Sequence, residues 1–178
     1  MDGGNVKRYK GGCAIMLRIS EEPEGRLFGI VSRSKFASPP WKLTAPDYHL
    51  TLQFVGRDLA EDKIGATIYS AFLFTRDPFT APIEFTGAFG ILSTRKGNYL
   101  VAHVNGKPLE EARKKLDGLL LEMGVVPKDS FDFNPHVTLA EAPPDAERPE
   151  ILPDIKPFSV EVKQMVVKYG PYKMIVEL

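Results

Sequence analysis

Two short segments of the same design, His49-Leu50-Thr51-Leu52 and His136-Val137-Thr138-Leu139, recur in opposite halves of this 178-residue chain. Side chains alternate between the two faces of a β-strand, so a His and a Thr two residues apart point the same way. Leu50, Leu52 and Phe54 then face the other way in the first segment, and Val137 and Leu139 do so in the second. Each segment is expected to be a strand that anchors an apolar face in a core and projects an imidazole beside a hydroxyl. The chain has three histidines, and two of them carry this pattern. A lone His-x-Thr is an ordinary strand sequence. A matched pair with apolar residues between and after the polar ones is a demanding constraint. If the two strands converge, they hold four polar groups with the rigidity that a pre-organised site requires.

The remaining sequence supplies elements around these strands. Cys13 to Ile19 reads as a strand, and Glu24 to Arg33 as a short helix carrying Leu27, Ile30 and Val31, weakened by Gly25 and Gly29. A Pro-rich loop, Ser38 through Asp47, leads into the first motif strand, Tyr48 to Val55. Asp58 with Glu61 resembles a capping box and predicts a helix to about Phe74, with Ile64, Ile68 and Phe72 on one face. Strands follow at Pro82 to Leu92 and Asn98 to Val104, separated by the basic turn Ser93 to Gly97.

Pro108 opens the clearest helix, with Leu109, Ala112, Leu116, Leu119, Leu120 and Met123 as its apolar stripe and Gly124 at its end. Pro135 to Ala140 forms the second motif strand, Glu141 to Pro157 is an exposed Pro-rich connector, and Phe158 to Tyr169 with Tyr172 to Leu178 forms a closing hairpin. This order predicts an α+β architecture with mostly antiparallel sheets and helices packed to one side. The length fits a single domain of one or two lobes, preceded by a flexible, Gly-rich and basic N-terminus over residues 1–12.

Lys and Arg balance Asp and Glu at 23 each, which speaks against a long duplex groove that must neutralise many phosphates. A pocket for one or two phosphates remains compatible with that balance. The single cysteine, Cys13, reads as a small buried hydrophobe, and one cysteine makes no internal disulfide. With no apolar signal core before it and only a short first apolar run, the chain is expected to be cytoplasmic, away from membranes and monomeric.

The paired residue types point to phosphodiester cleavage. The reaction needs a base for the attacking water or hydroxyl and an acid for the departing oxygen, and two histidines can supply both near neutral pH. Thr51 and Thr138 would donate to the non-bridging oxygens as they gain charge. A zinc hydrolase would instead want His-x-His or His-Glu-x-x-His with further ligands nearby, and the chain has neither.

At Tyr48-His49-Leu50-Thr51-Leu52-Gln53-Phe54-Val55-Gly56 and Phe133-Asn134-Pro135-His136-Val137-Thr138-Leu139-Ala140 the chain resembles the two-histidine (2H) phosphoesterase superfamily. That superfamily includes RNA 2′,5′-ligase-like proteins and cyclic nucleotide phosphodiesterases. Gly87-Ala88-Phe89-Gly90 and the hairpin at Tyr169-Gly170-Pro171 are similar as well. The resemblance implies a bilobal, pseudo-symmetric fold in which each lobe gives one motif strand to a central cleft, with helices outside. It implies catalysis by His49 and His136, phosphate binding by Thr51 and Thr138, and no metal or organic cofactor. The segment before His49 is short, as in compact phage-like members. The implied substrate is a 2′,3′-cyclic phosphate end or a small cyclic or 2′-linked oligonucleotide. Reversible 2′,5′ ligation and non-catalytic binding of nucleotides or RNA ends stand as alternatives.

Other residues each carry two readings. Tyr169, Tyr172 and Lys173, around the last turn, either contact a base or phosphate or merely pack the hairpin. Trp41 either closes over a ligand or packs at the rim. Gln53 shares the His49 face and is either a third polar group of the site or an ordinary strand residue. Arg95 and Lys96 either guide an anionic substrate or form a solvated turn, and His103, which lacks a following Thr, reads as structural.

Overall fold

The computed structural model describes residues 7–19, 25–45, 48–77, 82–128 and 133–178. The first six residues, Glu24 at the expected helix start, and residues 46–47 of the Pro-rich loop lie outside them. The described residues form nine strands: β1 Gly12–Ile19, β2 Lys42–Leu43, β3 His49–Arg57, β4 Ile83–Ser93, β5 Asn98–Val104, β6 His136–Ala142, β7 Phe158–Val160, β8 Val162–Tyr169 and β9 Tyr172–Glu177. Three α-helices accompany them: α1 Arg26–Val31, α2 Glu61–Phe74 and α3 Lys107–Glu122, with a 3₁₀ turn at Lys35–Ala37.

The strands make one sheet in the order β7-β4-β5-β6-β3-β1-β8-β9, with β2 beside β6. Every pairing is antiparallel. The architecture is therefore α+β, as expected. The two expected sheets are the halves of this one, β7-β4-β5-β6 and β3-β1-β8-β9, joined by a single bridged pair, Leu50 with Val137. Buried side chains from both halves share one core: Ile15, Leu17, Leu50 and Leu52 from one, Leu100, Ala102, Val137 and Leu139 from the other. α3 covers β3, α2 covers β8 and β9, and α1 covers β6, all on that face. The opposite face of the sheet carries no helix among the described residues.

The two motif strands share an irregularity as well as a sequence. Ile15 pairs with Gln53 but Met16 pairs with Thr51, which leaves Leu52 as an extra residue in β3. Leu100 pairs with Ala140 but Val101 pairs with Thr138, which leaves Leu139 as an extra residue in β6. Each motif therefore ends in a β-bulge at its fourth residue. A bulge turns the following residue to the other face and sharpens the local twist. Gln53 and Ala140 are both buried accordingly, next to buried Leu52 and Leu139.

Several sequence expectations are corrected here. Asp58 does not cap α2. It has φ 51° and its Oδ1 accepts from the Gly11 N–H at 2.8 Å, while Ala60 precedes the helix. Residues 7–11, expected in a flexible leader, are tied to the end of β3 through Tyr9 N–H to Leu59 O and Asp58 N–H to Gly11 O. Phe72 is exposed, and α2 buries Ile64, Thr67, Ser70, Ala71 and Phe74 instead. The single expected strand from Phe158 to Tyr169 breaks at Glu161, so that β7 pairs with β4 and β8 with β1 at opposite ends of the sheet.

Leu50 is fully buried at the only bridge between the halves among the described residues. Leu50→Ala should lower stability by about 2–5 kcal/mol, the usual cost of a large-to-small core change. Urea unfolding of the two proteins measures the difference.

Candidate active site

Leu50 opposite Val137 sets the positions of both motifs. In an antiparallel pair, Thr51 then lies opposite His136, and His49 opposite Thr138. Opposed residues have Cβ atoms about 4.5–5.5 Å apart, and diagonal ones about 7–8 Å apart. The four side chains form a quadrilateral on the open face, histidines on one diagonal and threonines on the other. In this register each motif histidine is across from the threonine of the other motif. The structure thus brings together all four residues singled out by the repeat.

His136 is oriented by its own approach loop. Nδ1 lies 2.7 Å from the carbonyl oxygen of Asn134. A carbonyl can only accept, so Nδ1 holds the proton and Nε2 is left to exchange one. Buried Pro135 lies between the two residues. The backbone beyond it is held by a second segment: Thr44 Oγ1 donates to the Thr138 carbonyl at 2.8 Å, and Thr44 N–H to the Leu139 carbonyl at 3.0 Å.

Two further groups sit on the same face: Arg18, which sequence reading missed, and His103, which it gave a structural role. Arg18 of β1 lies directly opposite His49. Its Nη1 donates to Gln164 Oε1 at 3.0 Å, and Gln164 Nε2 donates to Glu177 Oε1 at 2.7 Å. The available signal was an arginine inside an otherwise apolar strand, at even spacing from Met16 and Ala14. His103 of β5 lies directly opposite His136. Its ring covers Gly90, where any Cβ would come within 2.7 Å of Nε2. Burial first, and then the charge of neighbouring His136, holds the His103 pKa below its ordinary value. The signal there was its even spacing from Tyr99 and Val101 in an alternating strand.

Of the remaining expected contacts, Lys173 is on the open face, paired across β8–β9 with Lys168. Tyr169 and Tyr172 are not. They share the face of Cys13 and stack at 5.5 Å, each edge-on to Tyr9. Trp41 is 5% exposed, packs edge-on against Phe36 at 4.7 Å and donates Nε1–H to the Glu147 carbonyl, so it is core rather than lid. Gln53 is turned inward by the bulge at Leu52, where its Oε1 accepts from Arg113 Nε at 2.7 Å. Arg95 and Lys96 are exposed in the β4–β5 turn.

A hollow of about 480 Å³ adjoins the quadrilateral on the Thr51 side, lined by Lys10, Gly12, Ala14, Met16, Phe54 and Lys168. A larger one, about 810 Å³, lies between α1 and residues 151–156 and includes no motif residue. Its size does not make it the site, because the paired chemistry is elsewhere. Among the described residues, no three His, Cys, Asp or Glu side chains gather as a metal-holding group. No described helix is long and apolar enough to cross a membrane.

The model of the 2′-5′ RNA ligase superfamily matches residues 31–168, which include both motifs. The chain belongs to that superfamily. This membership supports a phosphodiesterase-type activity. No curated protein matches the chain. Among solved structures, the Thermus thermophilus protein TT0787 superposes with a TM-score of 0.60 at 20% identity, covering 94% of this chain and 96% of that one. The PDE domain of MHV ns2 gives 0.58 at 17%, covering 85% and 99%. E. coli LigT in its apo form gives 0.57 at 17%, covering 94% and 96%, and LigT is also known in complexes with 3′-AMP and ATP. At these identities the likeness is one of fold, and it extends over most of each chain.

The depressed His103 pKa has a consequence for stability. Above the ordinary histidine value of about 6.5 the ring is neutral folded or unfolded. As pH falls below it, the unfolded chain takes up a proton that the folded one resists, so stability drops until the folded pKa is reached. Urea midpoints measured between pH 7.5 and 5 should therefore fall, and His103→Gln should flatten that slope.

Proposed function

We propose that this superfamily member is a metal-independent phosphodiesterase that opens 2′,3′-cyclic phosphate ends or small cyclic or 2′-linked oligonucleotides by acid–base catalysis with His49 and His136. The observation that carries this reading is the Leu50–Val137 register, which sets the imidazoles diagonally across one quadrilateral. A phosphate between them meets one ring on each side, as in-line displacement requires. One neutral histidine takes the proton from the attacking water, the new P–O bond forms, the opposite P–O bond breaks, and the other, protonated histidine gives its proton to the leaving oxygen. The proton lost by one ring and gained by the other returns through solvent. Thr51 and Thr138, on the second diagonal, donate to the non-bridging oxygens.

The nucleotide complexes of LigT support a nucleotide ligand for this chain. The adjoining hollow, with the apolar surface of Met16 and Phe54 between Lys10 and Lys168, suits a base and its phosphate. Both motifs come from one chain, so the site needs no second copy, and we read the protein as one bilobal, monomeric unit.

His49→Ala and His136→Ala should each reduce kcat by about 10²–10⁴-fold or more. Thr51→Val and Thr138→Val should each cost about ten- to a hundredfold. Circular dichroism should be unchanged in all four, turnover should survive EDTA, and kcat/KM should follow a bell in pH. The assay resolves products from 2′,3′-cyclic nucleotides and 2′,5′-linked dinucleotides by chromatography. Full activity in either histidine variant rules out the assignment.

A further inference from the structure

One row of side chains crosses four strands on the open face: Glu177 of β9, Gln164 of β8, Arg18 of β1 and His49 of β3, each opposite the next. The hydrogen bonds follow the row in one direction. Gln164 accepts from Arg18 and donates to Glu177, so Glu177 fixes which way the amide faces. The carboxylate that anchors the relay is thereby one residue removed from the guanidinium. A direct Arg–Glu pair would cancel the charge. A neutral amide holds the arginine in place while leaving its positive charge for something else. The bond to Gln164 also occupies only one of the five guanidinium N–H donors.

The position of that charge identifies its counterpart. The scissile phosphate of the proposed reaction sits over the β3–β6 junction. β1 lies one and a half strand spacings away, and the pull toward Gln164 carries the guanidinium further. Strands are about 4.8 Å apart, which places the charge roughly 7–10 Å from the junction. That is too far to share the non-bridging oxygens with the threonines. It is the distance of the neighbouring phosphate in an extended oligonucleotide. Lys168 and Lys173 lie on the same face, four residues further along their strands.

We propose that Arg18 is a second-phosphate site, and that the preferred substrate accordingly carries a phosphate next to the scissile one, as an oligonucleotide or a 5′-phosphorylated end does and a cyclic mononucleotide does not. This rests on the function proposed above, and the test keeps the two apart. Binding is measured by calorimetry on the His136→Ala protein, which need not turn anything over. The probes are a 2′,5′-linked dinucleotide with a 5′-phosphate and the same dinucleotide without it.

The terminal phosphate should raise affinity about ten- to a hundredfold, the worth of a hydrogen bond to a charged group. Adding Arg18→Gln should shrink that gain to about twofold or less, while Arg18→Lys should retain most of it. Gln164→Glu keeps an acceptor for the guanidinium but neutralises its charge, and should also abolish the gain. Equal affinity for the two probes, or an undiminished gain with Arg18→Gln or Gln164→Glu, overturns the proposal. Absence of turnover in the unmutated enzyme would count against the phosphodiesterase reading alone, because the binding comparison stands without it.

Discussion

The single bridge between Leu50 and Val137 decides what the two histidines can do together. The registers two residues to either side of the observed one also keep both motifs on the same face, since a shift of two preserves the alternation. If His49 stood opposite His136, their Cβ atoms would be about 4.5–5.5 Å apart and the rings would crowd each other. If Thr51 stood opposite Thr138, the histidines would be four residues apart along the strands, roughly 14 Å before the lateral offset is added. Only the observed register gives the diagonal of about 7–8 Å that leaves an anion's width between two rings. The β2 segment helps to exclude the alternatives. It occupies the β6 edge at Ala140 and Glu141, and Thr44 takes the carbonyls of Thr138 and Leu139. β3 can pair with β6 only at the other end.

The bulges at Leu52 and Leu139 extend the repeat from sequence to backbone. Both follow the motif threonine directly. In each strand two successive residues, Leu52 with Gln53 and Leu139 with Ala140, turn into the core. The extra buried side chain anchors the strand immediately beyond the functional pair, and the local twist carries the rest of the strand away from the partner half. This accounts for a junction reduced to one bridge and for the open ground on either side of it, where the Met16–Phe54 hollow lies.

Period-two alternation was enough to read the motif strands, because each is anchored by leucine or valine on one face and the signal spans only three residues. It failed at Gln53, one residue past an insertion that leaves no mark in the sequence. It could not separate Tyr169 and Tyr172 from Lys173 either. Across a hairpin, opposed residues share a face, so Tyr169 goes with Tyr172 and Lys168 with Lys173, and only the register with β1 says which pair shares the face of Cys13. Trp41 sat in a Pro-rich stretch that looked like surface loop. Its partners, Phe36 and the Glu147 carbonyl, are local in space but one of them is distant in the chain. Arg18 was invisible, and His103 looked merely structural, for a related reason: each acquires its meaning from the residue opposite it on another strand.

Division of labour across the sheet explains how this site can be tolerated. A guanidinium bonded to a neutral amide and closely spaced imidazoles are unfavourable; burial first, and then the charge of His136, lowers the His103 pKa. They sit on a face that contributes little to the core. The same strands present Ile15, Leu17, Leu50, Val137 and Ala102 to the other face, all at most 2% exposed and covered by helices. Apolar burial of that extent outweighs a few kcal/mol of local repulsion. Because the two faces alternate residue by residue, each functional group is held by immediate neighbours that are among the most buried in the protein. Rigidity reaches the site through one peptide unit rather than through a chain of contacts. The polar face is therefore free to vary in charge and ligand while the register that aligns it stays fixed.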